Sequence, residues 1–540
     1  MINILQTLIF AFIFFISVDI TAQPNQSVDV LDYVFSLEIS DDHNEIFGET
    51  TVSLYLFGNT GDSFSLDLIK AEENDSTGMR VTSVQEDGRP LQFRHENDKI
   101  HIQFETTADS HQKRAITIAY HGVPADGLII SKNKYGERTF FGDNWPNRAR
   151  HWLPVNDHPS DKASCEFVIS APNHFQVIAN GLLVEESDLS ENRRRTHWRQ
   201  TVPIPTKVMV FGASRFAVQY AGDYDGIPIQ NWIYPQDRNA GFADFSATAK
   251  ILAFFDENIG DYPYKKLANV QSKTRYGGME NASAIFYSER LITGNRDFEK
   301  TIAHEIAHQW FGNSATEADW EHIWLSEGFA TYFAELYMAA AYGNDTLFAG
   351  MKRARNRIFA FAKRAPKSAI VDSTVTDPNR LLNPNSYQKG AWVLHMLRYK
   401  IGDELFWKGA KQYYQEFRDS IATSGDFQAV MEAVSGQNLG QFFQQWLYWP
   451  GFPKIRSDWV YDPQKKQLIV SIEQIQNNGN HFQFSLELGI YRENILPPQI
   501  EALPISKAKH TFEFDMESRP QAIQLYPNFW VLMEVVIHKK

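Results

Sequence analysis

Two histidines at a helical spacing, with a glutamate beside the first, are the residues of this sequence best suited to catalysis. They form the run His304-Glu305-Ile-Ala-His308. On an α-helix, side chains four residues apart project from the same face, so both imidazoles can bind one metal ion. Zinc that performs hydrolysis takes three protein ligands and leaves one position for water. Glu327, further along the chain, is the candidate third ligand.

Glu305 lies beside the two histidines and is assigned a different role by the motif, that of accepting a proton from the water that the metal binds. Zinc lowers the pKa of that water towards about 7, so a carboxylate within hydrogen-bond reach can complete the deprotonation. The alternative is a chance occurrence of the motif. Apolar residues repeat around it as on a buried helix, which favours the functional interpretation; they are Phe298, Ile302, Ile306 and Trp310.

A second helix is predicted from Ser326 to Tyr342, with Ser326 as its cap and Phe329 and Phe333 among the apolar residues that recur at helical spacing. Glu327 would open this helix. Two helices joined by a turn would then bring His304, His308 and Glu327 to one zinc ion per chain.

Two motifs together resemble a known family. The run His304–Asn313, the tryptophans Trp320 and Trp324, and the run Leu325–Ala330 are similar to the gluzincin zinc aminopeptidases, the family of aminopeptidase N and leukotriene hydrolase. Upstream, Tyr276–Asn281 reads Tyr-Gly-Gly-Met-Glu-Asn and resembles the exopeptidase signature of that family. The pair of motifs, in this order, is highly specific.

The resemblance implies that Glu280 binds the free α-amino group of a peptide substrate. That group has a pKa of about 8 and is mostly cationic at neutral pH, so a fixed carboxylate suits it. Such an anion would hold the first residue so that only the first peptide bond reaches the zinc. The structural alternative is an exposed loop glutamate. The resemblance also assigns substrate binding to the rest of the signature, namely Tyr276, Gly277, Gly278, Met279 and Asn281.

A second anchor for the amine comes, in the family, from a Gln or Glu of the N-terminal domain. The matching segment here is Phe141–Pro146, which contains neither residue type. Asp143 is only a weak substitute. The resemblance therefore leaves the second anchor open.

Tyr387 lies in the segment Asn383–Leu394, which resembles the Tyr-x-Lys-Gly segment of the family. The resemblance implies that its phenol donates a hydrogen bond to the oxyanion formed when water adds to the scissile carbonyl. Such a donor favours the transition state, because charge appears on that oxygen only during the reaction. A buried core tyrosine is the alternative.

Composition excludes several other classes of protein. The chain has 540 residues, of which 43% are apolar and 22% charged, and this suits a globular protein of three or four domains. Its 52 basic and 65 acidic residues give a net charge of −13, which argues against a nucleic-acid partner. Cys165 is its one cysteine, so an intramolecular disulfide and a thiolate zinc site are both excluded.

The first 22 residues resemble a secretory signal peptide. Leu8 to Val18 is an apolar run interrupted only by Ser17, and Ala22 precedes a polar stretch. The first residues carry no Lys or Arg, so an uncleaved membrane anchor is the alternative, although the run is shorter than the about 20 apolar residues that a span needs. No later segment is apolar enough to cross a bilayer. We therefore expect an exported protein, secreted or periplasmic.

Hydrophobic periodicity divides the remaining chain into three regions and predicts a multidomain α+β fold. Residues 23–222 alternate as half-buried strands and predict an N-terminal antiparallel β domain. Residues 223–452 are mainly helical and contain the zinc motif, which the resemblance identifies with a thermolysin-like catalytic domain. Residues 453–540 alternate again and predict a small β-sandwich. Many relatives carry a further helical domain over the active site, and we expect a three-domain form without it.

Three functions compete at this point. The first is an exported zinc aminopeptidase that acts on peptides with a free N-terminus. The second is an epoxide hydrolase of the leukotriene-hydrolase type. The third is a non-catalytic peptide-binding module, which would tolerate an incomplete zinc site. Every ligand position, the base Glu305 and Tyr387 are present, and this favours the first.

Overall fold

The computed structural model describes residues 28–56, 63–72, 76–104, 113–477, 479–493 and 495–539. The predicted signal segment, residues 1–22, lies outside this part of the chain. The described residues form a multidomain α+β protein, and the predicted fold class is confirmed. No helix in the described ranges has both the length and the apolarity needed to cross a membrane.

The N-terminal region consists of strands, as the alternation of apolar and polar residues predicts. Tyr33, Phe35 and Leu37 of the first strand, for example, share a buried face. The strands are β1 (Val28–Glu38), β2 (Ile46–Leu56), β3 (Ser63–Asp67), β4 (Gly78–Glu86), β5 (Arg89–Pro90), β6 (Gln92–Glu96), β7 (Lys99–Gln103), β8 (Lys113–Val123), β9 (Leu128–Lys132), β10 (Arg138–Gly142), β11 (Lys162–Pro172), β12 (Gln176–Ala179), β13 (Leu182–Leu189), β14 (Arg193–Pro205) and β15 (Phe211–Ser214).

These strands form three sheets. The largest has the order β13-β14-β11-β1-β2-β8-β4-β5, and the others have the orders β12-β15-β10-β9 and β3-β7-β6. Among the described strands of this region, pairing is antiparallel with one exception, the parallel pair β1 and β11. The N-terminal domain, which was predicted to be antiparallel, therefore contains one parallel pair of strands in its largest sheet.

The middle region begins with a sheet that carries the signature motif at its edge. Its strands are β16 (Ala217–Tyr224), β17 (Ile227–Ile233), β18 (Leu267–Ser272), β19 (Gly278–Met279) and β20 (Ala284–Ser288), in the order β16-β17-β18-β20-β19. The predicted boundary between residues 222 and 223 falls inside β16. A short parallel pair, β21 (Thr316–Glu317) and β22 (Ile421–Ala422), joins two later loops.

Helices fill the rest of this region. They are α1 (Arg238–Asp244), α2 (Thr248–Ile259), α3 (Glu299–Ala307), α4 (Trp324–Tyr342), α5 (Asn344–Arg364), α6 (Gly390–Ile401), α7 (Asp403–Phe417), α8 (Ser424–Ser435) and α9 (Gly440–Phe443), with π-helical segments at Asn385–Lys389 and Gln444–Tyr448. Helix α4 packs against α3, α5 and α6. It begins at Trp324, before the predicted cap, so Ser326 lies within its first turn.

The C-terminal region returns to strands, as predicted. They are β23 (Lys454–Asp462), β24 (Gln467–Gln474), β25 (Phe484–Arg492), β26 (Ile495–Ile505), β27 (Lys509–Asp515), β28 (Ala522–Leu525) and β29 (Glu534–Lys539). They form two sheets, with the orders β27-β24-β23-β29 and β26-β25-β28. Leu468 and Val470 of one sheet, and Leu486 and Leu488 of the other, are buried.

Candidate active site

Helices α3 and α4 bring the three predicted zinc ligands together. His304 lies in the last turn of α3, and His308 directly follows its final residue with helical backbone angles. Their Nε2 atoms are 3.1 Å apart. Glu327 lies in the first turn of α4, and its Oε2 is 3.3 Å from each of these nitrogens.

These distances fit a zinc ion. Two ligand atoms about 2.0–2.1 Å from one ion, at the tetrahedral angle, lie about 3.3–3.4 Å apart. Glu327 Oε2 is buried and accepts no hydrogen bond in the described part of the chain, which for a buried oxygen indicates a missing partner. Burial opposes a charge on His308, yet the carboxylates of Glu327 and Glu280 raise its pKa to about 9. The surrounding charges therefore favour a cation at this point.

The imidazole of His308 is oriented by groups behind it. Its Nδ1 is 3.1 Å from the carbonyl oxygen of Phe311 and 3.0 Å from Ser326 Oγ. A proton on Nδ1 that is donated to the carbonyl leaves the Nε2 lone pair for a metal. Gly312 allows this packing, because its φ is +117° and an added Cβ would lie 2.2 Å from Ser326 Oγ.

Glu305 lies on the side of the cluster that faces the signature strand. Carboxylate oxygens of Glu305 and Glu280 and a ring nitrogen of His308 all lie within 4.8 Å of one another. At Gly278, an added Cβ would lie 2.3 Å from Glu305 Oε1, so only glycine allows this approach. Burial raises the pKa of the Glu305 carboxyl well above its ordinary value, and a more basic carboxylate is a stronger proton acceptor.

Glu280 is held by its backbone, while its carboxylate stays free. Its carbonyl oxygen accepts hydrogen bonds from Gln309 Nε2 at 2.9 Å and Asn313 Nδ2 at 2.6 Å. The residue is 5% exposed and lines the cavity. Within the described residues, no hydrogen bond or ion pair is recorded for its carboxylate. A buried, unpaired carboxylate in a cavity suits a cationic ligand.

Gln309 and Asn313 are positioning residues that the sequence analysis missed. Both belong to the run that follows the zinc motif, and both are fully buried. Buried amides need hydrogen-bond partners. The signal that could have identified Gln309 and Asn313 is their polar character within a stretch of apolar residues.

Asp143 does not reach the cavity. Its carboxylate is fully buried and accepts hydrogen bonds from Arg148 Nη2 at 2.7 Å, the Arg275 backbone N–H at 3.1 Å and Thr274 Oγ1 at 3.3 Å. These donors occupy both oxygens. Asp143 is therefore part of the wall behind the site, and of these two carboxylates only that of Glu280 lines the cavity.

Tyr387 contacts the cluster at Glu327 and His304. It belongs to the π-helical segment Asn385–Lys389, and its hydroxyl donates to Glu327 Oε1 at 2.8 Å. Helices α4 and α6 touch here, because Gly328 and Gly390 pack so closely that an added Cβ on either would lie 2.9 Å from the other's Cα. Burial and the charge of Glu327 raise the pKa of the phenol well above its ordinary value, so Tyr387 keeps its proton and can donate.

The predicted residues surround one cavity of about 420 Å³. Tyr276 stacks edge-on against Trp145 at 6.2 Å between ring centroids, at one end of the cavity. Asn281 is fully buried and does not line it. The lining residues are Trp145, Tyr276, Gly277, Gly278, Met279, Glu280, Thr301, His304, Glu305, His308, Glu327, Arg357, Leu382 and Tyr387. Thr301, Arg357 and Leu382 belong to no recognised motif, and the sequence analysis missed them.

Comparisons with known proteins match the N-terminal region and the middle region to two domains of one peptidase family. A model described as the peptidase M1 N-terminal domain matches residues 30–208, and one described as the peptidase family M1 domain matches residues 243–446. Glutamyl aminopeptidase from Homo sapiens is 25% identical over 61% of this chain and 36% of its own length. Leucyl aminopeptidase from Saccharolobus solfataricus is 23% identical over 74% of this chain and 52% of its own length. The chain thus spans about half or less of these relatives.

A solved structure has the same fold. Legionella pneumophila aminopeptidase A, crystallised with aspartic acid, matches with a TM-score of 0.82 at 17% sequence identity. The match covers 96% of this chain and 60% of the Legionella chain. At this identity the likeness shows the fold.

Proposed function

The chain belongs to peptidase family M1, and from this membership and the cavity we propose that it is a zinc-dependent aminopeptidase, which removes the N-terminal residue of peptides. The observation that carries the proposal is the arrangement of Glu280. Its buried, unpaired carboxylate shares one cavity with Glu305 and with the His304, His308 and Glu327 cluster. An amine anchor at a fixed distance from a hydrolytic metal site defines an exopeptidase.

Each side chain of the cavity then has a role. Zinc would be held by His304 Nε2, His308 Nε2 and Glu327 Oε2, and when bound it supplies a Lewis acid that activates water and polarises the scissile carbonyl. Glu305 accepts the proton of the attacking water and passes it to the leaving amine. Tyr387 donates a hydrogen bond to the carbonyl oxygen as negative charge develops there.

Glu280 sets the register of the substrate. An ammonium group paired with its carboxylate places the first peptide bond, and not a later one, at the ligand cluster. Pairing in a partly desolvated site also penalises substrates that lack the charge, because the carboxylate is then left buried without a partner.

Metal analysis and two substrates test the proposal. The purified protein should contain one zinc ion per chain and should cleave leucyl-anilide but not N-acetyl-leucyl-anilide. Equal kcat/KM for the two anilides would contradict the exopeptidase assignment and leave a thermolysin-like endopeptidase. Zinc content without cleavage of any aminoacyl-anilide would favour the non-catalytic peptide-binding module.

We also propose that the chain is exported, secreted or periplasmic. The proposal rests on the apolar run Leu8–Val18 and on Ala22, which precedes a polar stretch. Protein recovered outside the cytoplasm should begin at about Gln23 when its N-terminus is sequenced. Recovery of a chain that still begins at Met1, in the membrane fraction, would favour an uncleaved anchor.

A further inference from the structure

One cation faces the catalytic cavity without a partner. Arg357, on α5, is exposed, and it is the only Lys or Arg among the described residues that line the cavity. Among the described residues, the side chain of Arg357 forms no hydrogen bond, ion pair or ring contact. Its neighbour Arg355 differs, since it donates to Tyr526 Oη at 3.0 Å and lies over the ring of Phe529.

The position of Arg357 relative to the amine anchor follows from the packing. Glu280 approaches the cluster beside His308, whereas Tyr387 contacts Glu327 and stacks with the ring of His304 at 6.0 Å. Helix α5 packs against the π-helical segment that carries Tyr387. Arg357, which lines the cavity from this helix, is therefore assigned to the Tyr387 end, away from Glu280.

A substrate held in register by Glu280 must extend towards this end. Its amine lies at Glu280 and its first peptide bond at the ligand cluster, so the residue after that bond points towards Tyr387 and Arg357. This step rests on the proposed aminopeptidase function. A planar guanidinium pairs with a carboxylate through two parallel hydrogen bonds, and Arg is the side chain best suited to such recognition.

We propose that Arg357 binds a carboxylate carried by the residue that follows the scissile bond. Two sources present this group: the C-terminal carboxylate of a dipeptide and an acidic side chain at the second position of a longer peptide. The three carboxylates lining the cavity, Glu280, Glu305 and Glu327, form no ion pair with Arg357 among the described residues, so its charge is available to the substrate.

Two matched pairs of substrates separate the sources. Leu-Gly and Leu-Gly-amide differ only in the C-terminal carboxylate, and Leu-Asp-amide and Leu-Asn-amide differ only in the side-chain carboxylate. Leucyl-anilide, whose leaving group is neutral, reports the proposed function by itself. The value measured for each pair is the ratio of kcat/KM with the carboxylate to kcat/KM without it.

Arg357→Ala should lower at least one of these ratios by about 10-fold, mainly through KM, because a charge-assisted pair is lost from substrate binding. Arg357→Lys should restore only part of the ratio, since an ammonium cannot form the bidentate pair. Arg353→Ala is the matched control. Arg353 is exposed on the same helix one turn earlier and does not line the cavity, so its substitution should leave both ratios unchanged.

The outcomes distinguish this inference from the proposed function. A parent protein that cleaves leucyl-anilide, with both ratios unchanged in Arg357→Ala, overturns the role of Arg357 alone. A loss in Arg357→Ala that appears only between aspartyl-anilide and leucyl-anilide would place the carboxylate on the first residue and overturn the assignment to the leaving side. No cleavage of leucyl-anilide by the parent overturns the proposed function and this inference with it.

Discussion

The two ends of the catalytic cavity are built in different ways. The metal end consists of the predicted zinc ligands, which come from packed helices. His308 and Glu327 each have a further contact, to Phe311 and Tyr387 respectively. The amine end consists of Glu280, whose carboxylate directly follows an edge strand of two residues, Gly278–Met279. The metal ligands thus have supporting contacts to their side chains, whereas Glu280 is supported only through its backbone carbonyl, and in the proposed function substrate register depends on its carboxylate alone.

Removing a ligand should break the metal end completely. His308→Ala should lose both bound zinc and aminopeptidase activity, because the two remaining ligands are too few for a hydrolytic site. Metal content and kcat on leucyl-anilide measure this. Glu305→Gln is the control: it should keep the zinc while losing about 10²- to 10⁴-fold in rate, the usual contribution of a positioned acid-base group. Equal zinc in His308→Ala and the parent would contradict the ligand assignment.

Removing the single anchor should break the amine end without affecting the metal end. In the parent, acetylation of leucyl-anilide should cost about 2 to 5 kcal/mol in transition-state binding, because it leaves Glu280 buried without a partner. Glu280→Ala should abolish most of that difference, by slowing the free amine and hardly changing the acetylated substrate. Zinc content should stay at the parental value. A variant that still discriminates as the parent does would require another anchor.

Tyr387 belongs to the metal end, where it contacts Glu327, and should affect only the transition state. Tyr387→Phe should lower kcat by about 10²- to 10³-fold, about 2.7 to 4 kcal/mol, with KM little changed. The lost hydrogen bond to Glu327 Oε1 should leave zinc content near one per chain. A rise in KM at unchanged kcat would instead make Tyr387 a substrate-binding residue.

The metal end could be predicted from the sequence because helical geometry relates spacing to position. His304 and His308 are one turn apart, and their Nε2 atoms meet in the structure at 3.1 Å. The strands could likewise be predicted, because apolar and polar residues alternate along them. Alternation does not identify a strand's neighbour, however, and the parallel pair β1 and β11 joins segments more than 100 residues apart in the sequence.

The surroundings of the amine end could not be predicted, because they depend on contacts between distant segments. Asp143 accepts hydrogen bonds from Thr274 and Arg275, which are 131 and 132 residues away. No local pattern around Asp143 indicates those partners. Arg357 lines the cavity from α5, a helix that packs beside the segment that carries Tyr387. Such residues follow from the tertiary fold and carry no motif of their own.

Asp143 gives the smallest effect on catalysis and the sharpest test of the single-anchor model. In Asp143→Asn, an amide N–H₂ would replace one carboxylate oxygen and face a donor, either Arg148 or the N–H of Arg275, inside the wall. The free energy of unfolding should fall by about 1 to 3 kcal/mol, the cost of a buried polar group left without its partner. Urea unfolding measures this loss.

The same variant should still discriminate between free and acetylated leucyl-anilide, because its side chain does not line the cavity. Asp126→Asn is the matched control: Asp126 pairs with the same two arginines but is partly exposed, so its loss should cost only about 0 to 1 kcal/mol. If Asp143→Asn instead lost discrimination while its unfolding free energy stayed at the parental value, Asp143 would contact the substrate amine. The amine end would then have two anchors, and Glu280→Ala should retain part of the preference for the free amine.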